Sequence, residues 1–233
     1  MNVNKYYETY DLEESLKSKS YPYYFCFLTL PRQFQDTLAL FWGIAAEIRF
    51  IPLNVTNPLM GFMRLTSWRD RLVIWEMEDK IDWLNTYEVF FDETINIQTN
   101  WPAYLQGETL LIQHSLSILE KNPSPCLMNA ATLLGEVLGL IYLLQSDRKF
   151  DFDDDLFFKK SLVHQIETRL TQLTLTTKIP KNCHSLFSLI GYCFAWLKRY
   201  RRSHRPVTVT EFVIQWAILK QRVRIGWNFY FKN

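Results

Sequence analysis

Between Pro123 and Ser146 the chain carries a single formally charged residue, Glu136, and apolar residues fall on both sides of a helical wheel. Leu127, Ala131, Leu134 and Leu138 form one side; Leu133, Val137, Leu140 and Leu144 form the other. A helix that is apolar all round either crosses a bilayer or lies at the centre of a protein core. Glu136 near its midpoint would cost a few kcal/mol in hydrocarbon, so the stretch reads as a central core helix. Asn182 to Leu197, also without a formal charge, is shorter than the ~20 residues a span requires and reads the same way.

A central helix needs others around it, and the rest of the chain supplies them. From Pro31, the residues Phe34, Leu38, Phe41, Ala45 and Ile48 step by three and four, which predicts a helix ending near Pro52. Asn57 and Pro58 form a cap and first turn for a second helix, whose apolar side carries Phe62, Leu65, Trp68, Leu72 and Trp75. Lys80 to Asn100 is aromatic and free of Gly and Pro, which favours helix. Helices are expected from Pro102 to Lys121, through Leu162, Ile166, Leu170 and Leu173, and through Phe187, Ile190, Phe194 and Leu197. The last opens at Thr208, with Glu211 completing a capping box, and buries Phe212, Trp216, Leu219 and Val223. No strand pattern, internal repeat or low-complexity segment interrupts this series. The expectation is one all-α domain over residues 21–233, preceded by a lead over residues 1–20.

With 48% hydrophobic residues the 233-residue chain has the material for one large core. Its 26 basic and 24 acidic residues nearly cancel, so no global field recruits nucleic acid. The one local concentration is Lys198, Arg199, Arg201, Arg202, His204 and Arg205, which suits either a solvated helix C-terminus or contact with anionic lipid heads or a partner. Cys26, Cys126, Cys183 and Cys193 lack metal-ligand spacing and read as buried reduced thiols. The acidic N-terminal stretch has no apolar signal region, which points to a cytoplasmic protein. No nucleophile elbow, phosphate loop or His-pair motif is present. The acidic cluster Asp147, Asp151, Asp153, Asp154 and Asp155 puts Asp147, Asp151 and Asp155 on one face if helical; the alternation with Phe150 and Phe152 favours a solvated loop.

The segment from Tyr24 to Leu72 resembles the squalene/phytoene synthase family: an aromatic lead, Leu30 and Pro31, an apolar helix, then Pro58, Gly61, Arg64, Leu65, Trp68, Arg69 and Asp70 in the family's order. Weaker likeness runs through Tyr104, Gly107 and Gly135 to Leu144, so that residues 20 to 230 are covered. The resemblance implies a terpenoid-synthase helical bundle around a central cavity. In the enzymes two aspartate-rich motifs on facing helices hold Mg²⁺ against prenyl diphosphates.

Here the first motif should fall at Ile48 to Pro52, where no carboxylate stands and Glu47 is the nearest acid; the second falls near Asp147 and Asp151. Gln35 replaces the arginine expected past Pro31. Retained helices with missing aspartates resemble the family's non-catalytic branch, which includes a mitochondrial factor for respiratory complex I assembly. The resemblance therefore implies a degenerate enzyme that needs no cofactor and binds a protein complex or membrane surface, peripheral at the inner membrane, with room for an isoprenoid or lipid. The alternative is a Mg²⁺-dependent prenyl transferase using Glu47, Asp147 and Asp151 as metal ligands and Arg64 and Arg69 toward diphosphate. Pairing of Arg64 and Arg69 with helix acids such as Asp70 or Glu76 is the competing role for those two.

Overall fold

A computed structural model describes residues 12–55, 57–91, 101–145, 156–175, 179–203 and 208–231. Eleven α-helices follow one another in these segments, and no strand is found among the described residues. They are α1 (Leu12–Lys19), α2 (Tyr21–Leu28), α3 (Arg32–Asn54), α4 (Pro58–Ile74), α5 (Ile81–Asn85), α6 (Trp101–Leu119), α7 (Pro125–Gln145), α8 (Leu156–Leu175), α9 (His184–Phe187), α10 (Leu189–Ser203) and α11 (Glu211–Phe231). The all-α expectation holds.

At the centre, α7 packs against α6 on one side and α8 on another. Residues Leu127, Ala131, Leu134, Val137, Leu138, Leu140 and Leu144 are all buried, as an all-round apolar helix requires. By length and composition α7 could cross a membrane, but 67% of its most apolar window is buried within the fold. Its one acid, Glu136, pairs with Arg169 of α8 at the core's edge. Gly135 and Gly139 let α6 come close: a Cβ on Gly135 would stand 2.4 Å from the Thr109 Cα, and one on Gly139 would stand 3.0 Å from the Leu105 Cα. α3 is the second central element, buried on nearly every side from Leu38 to Arg49.

Several helix boundaries and faces depart from the sequence reading. α3 runs through Pro52 to Asn54, because a proline this near the C-terminus removes one intrahelical bond and leaves the last turn free to close from the Val55 amide onto the Ile51 carbonyl at 3.0 Å. α4 is capped as expected, the Asn57 side chain accepting from the Met60 amide, but Phe62 is exposed while Leu65, Trp68, Leu72 and Trp75 are buried. The aromatic stretch after Lys80 breaks into α5 and a 3₁₀ turn over Glu88–Phe91 rather than one helix; residues 92–100 lie outside the described residues.

α11 begins at Glu211, three residues after the Thr208 opening, and presents the opposite face. Ile214, Ile218 and Ile225 are buried, whereas Phe212, Trp216, Leu219 and Val223 face solvent. Both stripes have helical spacing, so periodicity cannot choose between them. The choice follows from close approach: a Cβ on Gly191 of α10 would stand 2.2 Å from the Ala217 carbonyl oxygen of α11. Two backbones this near leave no depth for Phe212 or Trp216 between them. Within the stretch read as a lead, α1 packs on α3 and places Leu16 in the core.

Candidate functional site

Arg49 lies two residues beyond Glu47 on α3, in the segment where the resemblance calls for carboxylates, and it enters the core. A guanidinium removed from water requires a matched anion. Glu108 of α6 provides it: Arg49 donates from Nε to Glu108 Oε1 at 2.6 Å and from Nη2 to Oε2 at 2.9 Å, a two-point fork. Arg49 Nη1 donates to Ser20 Oγ at 2.9 Å. The hydroxyls of Tyr23 and Tyr87 donate to the two Glu108 oxygens, each at 3.4 Å. The Tyr142 ring lies 4.2 Å from the guanidinium carbon and the Tyr23 ring 5.2 Å.

These side chains come from four helices, the junction between α1 and α2 at Ser20, and the turn after α5, and the path from sequence to site is traceable. The small face of α7 at Gly135 and Gly139 lets α6 approach, and that approach sets Glu108 at the level of α3. Gly107 is likewise constrained, since a Cβ there would stand 3.0 Å from the Tyr87 ring. Burial would lower the Arg49 pKa, but the Glu108 carboxylate and the three tyrosines more than offset this and raise it well above its ordinary value. Burial, reinforced by Glu108, pushes the Tyr23 hydroxyl up as well, so it stays a donor. The arrangement is a closed, charge-compensated knot.

Of the residues expected from sequence to form a metal and diphosphate site, Glu47, Arg64 and Arg69 are among the described residues. Glu47 is partly buried, accepting from Lys19 Nζ at 2.6 Å and from the Ser15 hydroxyl. Arg69 donates to Asn85 at 3.0 Å and to Glu88, not to Asp70 or Glu76. Arg64 is exposed on α4. Gln35 donates to the Leu30 carbonyl at 3.1 Å, closing the turn before α3. Asp147 and Asp151, with the acidic cluster to Asp155, lie outside the described residues, as do His204 and Arg205. Among the described residues no group of three or more His, Cys, Asp or Glu converges as a metal site. The segment Ile48 to Pro52 does not fit one half of a Mg²⁺ clamp, because it contributes a cation in place of carboxylates.

Lys198, Arg199, Arg201 and Arg202 are exposed at the C-terminal end of α10. Arg201 turns to α8, where Nη2 meets Glu167 at 2.7 Å; Lys198, Arg199 and Arg202 line the side toward α11, and Lys198 and Arg202 also border the cleft toward α8. Sequence reasoning recognised this run but missed Arg49 and Glu108. The signal was present: a lone arginine within Ile48–Arg49–Phe50–Ile51, and a lone glutamate in the apolar run after Gly107, are charges a core helix must pair. Of the four cysteines, Cys26, Cys183 and Cys193 are buried as expected, but Cys126 is exposed in the first turn of α7. A helix apolar all round still begins at the surface, and its first turn follows the loop there.

Comparisons with protein-family models, with curated proteins and with solved structures find no match to this chain.

Proposed function

We propose that this chain is a catalytically degenerate, squalene/phytoene synthase-like helical bundle of terpenoid-synthase type that acts as a binding or assembly factor at a membrane surface or respiratory complex. The observation that carries the proposal is the buried pair of Arg49 and Glu108. Where the enzymes of that family present carboxylates to Mg²⁺, this chain presents a guanidinium, which repels a divalent cation. Both oxygens of the nearest buried carboxylate are already engaged by it. Converting the pair to a metal clamp would leave an uncompensated buried charge, at a cost of about 3–5 kcal/mol. Glu47, the remaining acid of that region, is held by Lys19.

Incubation of the purified protein with farnesyl or geranylgeranyl diphosphate and Mg²⁺ tests the reading. The expected result is no release of diphosphate and no coupled product. Release that requires Mg²⁺ and disappears in Asp151→Ala would replace it with the prenyl transferase reading, in which Glu47, Asp147 and Asp151 carry the metal.

A further inference from the structure

α10 and α11 enclose a surface groove of about 770 Å³ whose walls carry five cations and no acid. Lys198, Arg199 and Arg202 come from α10; Lys220 and Arg224 come from α11. All five are exposed, and among the described residues none is paired with a carboxylate. This is unusual for a chain whose total charge is only +2, since like charges gathered on one wall repel unless something anionic lies between them.

Beside the groove runs the solvent-facing stripe of α11: Phe212 is 75% exposed, Trp216 65%, Leu219 43% and Val223 62%. Trp216 belongs to both features, lining the groove with one part and extending the stripe with the other. Phe194, exposed on α10, adds an aromatic ring to the groove wall.

We propose that this face docks on an anionic phospholipid surface, with lipid phosphates in the α10–α11 groove and the Phe212–Val223 stripe laid into the headgroup and acyl boundary. The inference rests on the reading of the chain as a surface-binding protein and names what that surface is. Two chemistries have to be satisfied side by side over one helix: rows of phosphate for the cations and hydrocarbon for the stripe. A helix with Lys and Arg along one edge and Trp, Phe and Leu along the next meets both when it lies in the interface plane of a bilayer. A nucleic acid would neutralise the groove and leave Leu219 and Val223 in water. A purely apolar partner would cover the stripe and strand five cations. Trp216, apolar in body with one N–H to place, suits the headgroup level.

The test is co-sedimentation of the full chain with phosphatidylcholine vesicles, with and without phosphatidylglycerol, in low and high salt. Expected is binding that requires the anionic lipid and weakens as salt screens the charges. Each basic residue at such a surface contributes about fivefold in affinity, so Lys220→Glu with Arg224→Glu should lose about 25-fold or more. Trp216→Ser should weaken binding while preserving its salt dependence. Lys121→Glu, on the connection between α6 and α7 and outside the groove, should change it less than twofold.

Equal binding to neutral vesicles would overturn the proposal, as would no binding by a protein whose circular dichroism shows it folded. Self-association that buries the stripe and is unaffected by vesicles would overturn it in favour of a second copy. The diphosphate-release assay on the same preparation separates the two readings. Turnover would remove the non-catalytic reading without touching the lipid site, whereas no turnover and no vesicle binding would leave that reading with a protein partner.

Discussion

Glu108 holds Arg49 at two points, 2.6 and 2.9 Å, with both side chains closed to solvent, so that α3 and α6 are locked by one ion pair at the level where Tyr23, Tyr87 and Tyr142 also meet. Removing one member should be far worse than removing both. Glu108→Ala leaves a guanidinium buried without its anion, and a loss of about 3–5 kcal/mol is expected. Arg49→Met combined with Glu108→Leu replaces charge by apolar volume and should recover most of that loss. Urea unfolding of Arg49→Met alone, Glu108→Leu alone and the two combined measures the coupling; additive losses would show that the pair is not a unit.

At Gly135 the backbones of α6 and α7 come close. A methyl group there would stand 2.4 Å from the Thr109 Cα and 2.8 Å from the Glu108 carbonyl oxygen, and backbone cannot step aside as a flexible side chain does. Gly135→Ala should therefore cost about 1–3 kcal/mol despite the better helix propensity of alanine. Because the displaced strip of α6 carries Glu108, the ion pair should loosen with it. A Gly135→Ala protein as stable as the parent in thermal unfolding would mean the two helices do not pack this closely.

Thiol chemistry separates Cys126 from the other three. Burial pushes the Cys26 thiol up to about 12 and the Cys183 thiol up to about 12, and it raises that of Cys193 as well. Since the thiolate is the reactive species, these three should be inert toward a disulfide reagent near neutral pH in the native state. One equivalent of reagent should react, and Cys126→Ser should abolish that reaction. In denaturant all four should react. More than one fast equivalent without denaturant would contradict the burial of the others.

The core helices were legible because their pattern admits one solution. α7 is apolar on every side and carries Glu136 near its middle, which disfavours a bilayer and leaves the centre; Leu162, Ile166, Leu170 and Leu173 of α8 form a single stripe, and all four are buried. α11 was misread because it has two stripes of the same period, and the deciding quantity is the nearness of Gly191 to Ala217, which a one-dimensional pattern does not contain. The buried pair was hidden for a related reason. Arg49 and Glu108 are 59 positions apart, and each alone resembles a tolerated surface charge until the packing of α6 on α7 brings them together. The cations of α10 were visible as a run, but Lys220 and Arg224, isolated in sequence, join them only once α11 has chosen which face to bury.

His114 and His184 should make the stability of the fold depend on pH between 7 and 5. Burial lowers the His114 pKa below 6.5, with Lys80 acting in the same direction, and the Asp82 carboxylate 3.1 Å away opposes this without reversing it. Burial also lowers that of His184, against a contact with the Ile179 carbonyl at 3.1 Å. For a histidine whose folded pKa lies below its unfolded one, the unfolded chain takes up protons first as pH falls. Stability should therefore be constant above about pH 7, decline as pH drops through 6.5, and stop declining from this source once both folded imidazoles are protonated. His114→Gln combined with His184→Gln should flatten the slope of unfolding free energy between pH 7 and 5. Denaturant unfolding at several pH values reads this directly. A slope of opposite sign, with stability rising as pH falls from 7 to 6, would mean that the two imidazoles are charged in the fold, held by Asp82 or a carbonyl more strongly than burial disfavours them.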